Sequence, residues 1–165
     1  MSKNIYLDES GYQEFLDYID KLINDLKECG KEMGESYRDY VGDGWHDNPA
    51  YEAAQVRERR VSSQIQHFNN LLSDIEIIKP TKFKDKVNIN DVVEIKLTFK
   101  DGSSDIEKYK LLGSYFSKEE DNITGISINS LLGSAIYKKK IGSTVSYELD
   151  NGNIVNAEIL NKIED

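Results

Sequence analysis

GDGWHDNPAYEAA, residues 42–54, is the stretch whose reading decides the fold. It gathers the chain's single Trp (Trp45), one of its two His (His46), one of its two Pro (Pro49) and two aspartates, Asp43 and Asp47. Gly42 and Pro49 punctuate a polar loop, and on each side of it a helical pattern begins. Upstream, Tyr12, Phe15, Ile19, Leu22, Leu26, Cys29 and Met33 recur at alternating spacings of 3 and 4. That is the seam of a coiled coil, widened on one flank by Leu16 and Ile23. The spacing predicts a helix over 8–40, capped by Asp8 or Ser10. Gly30 and Gly34 suggest that its distal half is weakened or closely packed.

Downstream, Tyr51, Ala54, Glu58, Val61, Ile65, Phe68, Leu72 and Ile75 carry the same alternation and predict a second helix over 50–78. Pro49 suits its first turn, and Asp47 or Asn48 its cap. Two seamed helices joined by a short polar loop form an antiparallel coiled-coil hairpin. Thirty residues of helix span about 45 Å. Pro80 is expected to end the second helix, and residues 80–91 read as a polar linker.

Beyond it the period changes to 2. VVEIKLTF (92–99) and DIEKYKLLG (105–113) read as strands around a turn centred on Asp101-Gly102. GISINS (125–130) reads as a short strand and SLLGSAIYKK (130–139) as a short helix. Residues 142–163 read as a hairpin turned by Asn151-Gly152. The expected fold is α+β: a helical hairpin over 1–79 with an acidic tip near 42–48, then an antiparallel sheet domain with a short helix over 80–165.

Hydrophobic residues make up 38% of the 165-residue chain and charged residues 31%, which suits an elongated body with much surface. The formal charge is −9, arguing against general binding to nucleic acid or anionic membranes. The charge is uneven: residues 1–79 hold 9 Lys/Arg against 16 Asp/Glu, the remainder 12 against 14. A single cysteine, the lack of a basic-then-apolar leader and the lack of a membrane-length apolar run point to a reduced cytoplasmic protein, expected to be a monomer. No nucleophile–base signature or Cys/His cluster marks a stand-alone enzyme.

Two motifs in order carry a resemblance that spans nearly the whole chain. At the tip, Gly42, Asp43, Asp47, Asn48, Tyr51 and Ala54 follow the pattern G-D-x-x-E-N-x-x-Y-x-x-A. Further on, ISINSLLGSAIYKKKIGS (126–143) follows I-S-x-x-S-P-x-G-x-A-L-x-G-K-x-x-G-D at Ile126, Ser127, Ser130, Gly133, Ala135, Lys139 or a neighbouring Lys, and Gly142. Both patterns are those of the bacterial GreA/GreB transcript cleavage factors, which the chain resembles.

The resemblance implies an FKBP-like C-terminal domain that docks at the rim of the RNA polymerase secondary channel, with Ser127, Asn129, Ser130, Gly133 and Lys139 as candidate docking residues. The coiled coil then reaches down the channel. Asp43 and Asp47 would help hold a Mg²⁺ shared with the polymerase active site, none being bound by the isolated chain. The polymerase would cleave backtracked RNA, and Arg38, Arg57, Arg59 and Arg60 would contact the nascent RNA 3′ segment. Gly42, Trp45, His46, Asn48 and Tyr51 would shape the tip.

The sequence departs from the pattern at Gly44, Trp45 and His46, three residues where the family has two, and Asp47 is one methylene shorter than Glu. Leu131 replaces the usual proline, Ser143 the usual aspartate and Gln55 the usual arginine. Read without the resemblance, Asp43 and Asp47 are turn and cap residues. Trp45 either staples the loop against Tyr51 or Tyr40 or makes an external contact. His46 is a ligand, a proton donor or a surface residue. The arginines either meet phosphates or pair with nearby Glu, and Lys138, Lys139 and Lys140 either meet the polymerase rim or are solvated. The functional alternatives are a non-cleaving regulator of the same polymerase and a coiled-coil adaptor outside transcription.

Overall fold

The computed structural model describes residues 4–39, 48–120 and 123–163. The chain divides into two units, Phe15–Asp74 and Met1–Glu14 together with Ile75–Asp165.

The helical unit is built from α1 (Glu9–Asp39) and α2 (Pro49–Leu71). Asp8 caps α1: its Oδ1 accepts from the Gly11 N–H at 2.7 Å and its carbonyl from the Tyr12 N–H at 2.9 Å. The seam residues Phe15, Ile19, Leu22 and Cys29 are buried, as are Ala54 and Val61 facing them from α2. Phe68 sits 5.4 Å from the Phe15 ring and 4.9 Å from that of Tyr18, while Arg57 pairs with Glu32. Late residues of α2 thus meet early residues of α1, the signature of antiparallel packing. Gly30 and Gly34 are exposed and meet nothing within 4 Å, so close packing does not explain them.

The second helix is shorter than its seam predicts. Leu72 and Ile75 continue the 3–4 spacing, yet α2 ends at Leu71 in a 3-10 turn over Leu72–Asp74. Asn69, Asn70, Ser73 and Asp74 crowd this point, and such side chains compete for backbone groups. The Ser73 hydroxyl donates to the Asn70 carbonyl at 3.1 Å. The chain then becomes strand β2 (Ile75–Ile77), which pairs in parallel with β1 (Ile5–Leu7). Neither strand was expected from the sequence.

The sheet unit holds β3 (Val92–Thr98), β4 (Ser104–Leu112), β5 (Lys118–Glu120), β6 (Ile123–Ser127), α3 (Leu131–Ile136), β7 (Thr144–Glu148) and β8 (Ile154–Ile163). Their order is β5-β6-β4-β3-β8-β7. All neighbours are antiparallel except β4 and β6, which pair in parallel, so the sheet is antiparallel-rich as expected. Strict alternation puts Val93, Ile95 and Leu97 of β3 and Val155, Ala157 and Ile159 of β8 on the inner face, packed with Leu132 and Ile136 of α3.

The segment 80–91 is not a plain linker. Val87, Asn88 and Ile89 are buried. The Asn88 carboxamide ties the segment into a knot, its Nδ2 donating to the carbonyls of Phe83 and Lys86 at 2.8 and 3.0 Å. Its Oδ1 accepts from the Phe83 N–H at 2.9 Å.

The opening turns of α1 also belong with the sheet unit, unlike the expected division at 79/80. The Asp8 N–H donates to the Gly113 carbonyl at 2.8 Å. The Asn129 side chain receives the Tyr6 N–H and donates to the Tyr6 carbonyl, both at 2.8 Å. A Cβ at Gly11 would fall 2.0 Å from the Gly113 carbonyl oxygen, so only glycine allows this approach. No helix among the described residues is long and apolar enough to cross a membrane.

Candidate functional site

Gly42, Asp43, Trp45, His46 and Asp47 lie outside the described residues, as does Tyr40. What the structure defines is the frame on either side of them. Asn48 is 2% exposed and uses both ends of its carboxamide. Its Oδ1 accepts from the Tyr51 N–H at 3.1 Å, capping α2, with Pro49 in the first turn. Its Nδ2 donates to the Ser36 carbonyl of α1 at 2.9 Å. One side chain therefore joins the start of α2 to the end of α1. The cap could be read from sequence, but the cross-helix bond could not, because nothing local marks Ser36 as its acceptor. Tyr51 is half-buried beside this junction. Glu32, Glu35 and Asp39 line a shallow cavity of about 390 Å³ next to Asn48. Among the described residues no group of three or more His, Cys, Asp or Glu is placed to hold a metal ion.

The four expected arginines, Arg38, Arg57, Arg59 and Arg60, all lie among the described residues. Arg57 reaches across the hairpin, Nη1 lying 2.8 and 3.0 Å from the two Glu32 oxygens. That hydrogen bond is the main cause that raises the guanidinium pKa, so Arg57 stays charged and occupied. In the free chain Arg57 thus bridges the two helices through Glu32. Arg59 donates to Gln55 at 2.9 Å, an i,i+4 pair, and Arg38 and Arg60 are exposed.

In the sheet unit the second motif forms a tight corner leading into α3. Ser130 caps α3, accepting from the Gly133 N–H at 3.0 Å and donating to the Ser127 carbonyl at 2.7 Å. A Cβ at Gly133 would sit 2.1 Å from that same carbonyl oxygen. The Ser127 hydroxyl donates to the Ser114 carbonyl, and the Ser114 hydroxyl donates to Glu14. Glu14 also pairs with Lys118 at 2.6 Å. Burial opposes its ionisation, but the hydrogen bonds from Lys118 and Ser114 outweigh this and lower its pKa.

Ser127 and Gly133 are buried, so they frame the corner instead of presenting a contact surface. Asn129 is spent on β1, as described above. Leu131, 43% exposed where the pattern has proline, and Lys139 are among the exposed residues of the motif. The sequence reading missed the knotted segment 80–91, where Phe83 is exposed and the Lys86 ammonium lies 5.0 Å from its ring centroid. The interleaving of Lys82, Phe83, Lys84 and Lys86 was the available signal.

The family profile described as "Transcription elongation factor, GreA/GreB, C-term" matches residues 81–164. Among curated relatives, the transcription elongation factor GreA of Leuconostoc mesenteroides is 31% identical over 151 residues, covering 88% of this chain and 87% of that protein. GreA of Chloroherpeton thalassium is 31% identical over 163 residues, covering 98% of both. The solved structure of GreA factor homolog 1 of Thermus thermophilus aligns over 98% of this chain and all of its own, with 19% identity and a TM-score of 0.40. Full-length sequence similarity and the matched C-terminal profile place the chain in the GreA/GreB family of transcription elongation factors.

Proposed function

We propose that this protein binds RNA polymerase through the secondary channel and stimulates the polymerase's own cleavage of backtracked RNA. The observation that carries the reading is the Asn48 lock. It fixes both anchor points of the segment bearing Asp43 and Asp47 to the end of a stiff hairpin whose α1 is about 46 Å long by helical rise. Two short carboxylates are hard oxygen donors of the kind Mg²⁺ accepts, and Mg²⁺ is commonly held by one or two protein carboxylates plus substrate oxygens. Asp43 and Asp47 would supply that share at the polymerase site, where a second ion, when bound, supports two-metal phosphoryl chemistry. The sheet unit would dock on the polymerase, with Lys139 and Leu131 as its outward contacts. Arg38, Arg59 and Arg60 remain for the RNA 3′ segment.

A second reading is favoured by one observation, the three residues Gly44, Trp45 and His46 between the two acids. Displacing a catalytic group by about 1 Å can cost on the order of 100-fold in rate. A tip so displaced would occupy the channel without promoting cleavage. The test is transcript shortening in a stalled, backtracked elongation complex, with wild type, Asp43→Ala and Asp47→Ala. Shortening from the 3′ end by wild type and its loss in either variant is the expected result. Wild type that binds the polymerase without shortening the RNA overturns the cleavage reading and leaves the non-cleaving regulator.

A further inference from the structure

On the sheet unit two depressions share Asn90. The larger, about 800 Å³, is bordered by Lys82, Phe83, Lys84 and Lys162. The smaller, about 150 Å³, is bordered by Lys110, Lys118, Ile123 and Gly125. They adjoin at Asn90, and the grooved surface they form is bordered by five lysines on a chain whose net charge is −9. Two of these are neutralised: Lys162 lies 2.7 Å from Asp91, and Lys118 pairs with Glu14. For Lys82, Lys84 and Lys110 no ion pair forms among the described residues.

Phe83 is 41% exposed at the groove wall. It does not hang loose: Asn88 grips its backbone N–H and carbonyl, and Lys86 lies against its ring. An aromatic ring held outward between cations is costly to expose and is what a stacked base requires. Spaced lysines with no carboxylate partner suit a phosphate backbone. A compact acidic peptide would use the charges but not the ring.

We infer that this groove is a track for single-stranded RNA, with Phe83 as the stacking platform and Lys82, Lys84 and Lys110 as phosphate contacts. The choice of RNA over DNA rests on the proposed function, since a backtracked polymerase expels single-stranded RNA.

The test uses the whole protein and a fluorescein-labelled uridine dodecamer, followed by anisotropy at 20 and 200 mM KCl. Three phosphate contacts predict an affinity loss of about 100-fold between the two salts, at a slope of about −0.7 per contact. The double variant Lys82→Gln/Lys84→Gln should bind more weakly at 20 mM and lose only about fivefold. Phe83→Ala should weaken binding with the salt slope unchanged. Arg59→Gln/Arg60→Gln, on the helical unit, should leave the effect of Lys82 and Lys84 intact. No binding by wild type at 20 mM, equal binding by the double variant, or tighter binding of the deoxyuridine dodecamer overturns the inference. If wild type binds RNA through these lysines but does not promote cleavage, the track stands and the cleavage reading falls. If it cleaves while binding ignores Lys82 and Lys84, the track alone falls.

Discussion

Replacing Asn48 separates two roles that its carboxamide performs at once. As a helix cap it supplies an oxygen to the Tyr51 N–H, a contribution of about 1 kcal/mol. As a cross-helix bridge it supplies an N–H to the Ser36 carbonyl, and losing a partner for such a group costs about 1–2 kcal/mol. Asn48→Ala removes both, so the local opening free energy at the distal end of the hairpin should fall by about 2–3 kcal/mol. Asn48→Asp preserves the cap acceptor, and Asp is as good a cap as Asn. It also places a carboxylate oxygen where an N–H now faces the Ser36 carbonyl at 2.9 Å, in a position only 2% exposed.

If Asn48 were only a cap, Asp would be harmless; if it also bridges, Asp should be at least as damaging as Ala at pH 7. Native-state amide exchange is the assay, because the chain has two units and a single unfolding free energy would blur them. Amides near the start of α2 and the end of α1 should exchange about 30- to 140-fold faster in Asn48→Ala, by the factor of ten per 1.4 kcal/mol. The Asp variant should recover protection as pH falls, since a protonated carboxyl can again donate to Ser36. Wild-type protection in Asn48→Asp at pH 7 would refute the bridging argument.

Two more consequences concern the helices and their anchorage. Gly30 and Gly34 are exposed, in helical conformation and clear of neighbours, so Gly30→Ala and Gly34→Ala should each stabilise the hairpin by about 0.5–1 kcal/mol, read as slower exchange in α1; a loss of protection would mean that flexibility there is tolerated for another reason. Glu14, whose pKa is lowered below 4.5, contributes stability that is complete above its unfolded value and lost as pH falls through its lower folded value. Acid unfolding of the sheet unit should therefore be shallower below about pH 4.5 in Glu14→Gln than in wild type; identical acid limbs would show that the Lys118–Glu14 pair contributes nothing.

Much of this architecture was legible because it is periodic. The 3–4 seam from Phe15 to Cys29 and the alternation of Val93, Ile95 and Leu97 each require one face to be buried, and Phe15, Ile19, Leu22, Cys29, Val93, Ile95 and Leu97 are buried. The failures occur where local pattern and distant partners compete. Ile75 fits the helical seam, but Ile75 and Ile77 also fit a period of 2, and pairing with Ile5 and Leu7 decides between them. No local feature reveals a partner seventy residues away. Segment 80–91 looked like a linker because its polar residues outnumber its apolar ones, whereas Asn88 satisfies the backbone inside it and lets Val87 and Ile89 turn into the core. At the tip, the capping role of Asn48 was visible in Asn-Pro followed by a helical run, and its bridging role was not. The motif around Ser127 was recognisable as a pattern, but whether its residues face outward or inward depends on the corner they build with Ser114.

The grip of Asn129 on strand β1 also sets an order of events during synthesis. Tyr6 and Asn129 are 123 residues apart, whereas Asn48 and Ser36 are 12 apart. At about 5–20 residues per second, a ribosome needs on the order of 6–25 s to deliver Asn129 after Tyr6 has been made. The hairpin contacts are available long before that, and helix pairing takes a small fraction of a second. Ile5 and Leu7 must therefore wait as an unpaired apolar strand beside an already formed helix, until β2 and then Gly113 and Asn129 arrive to cover them. The first-made strand is among the last pieces fastened, and the nascent chain is most exposed to mispairing at the end synthesised earliest.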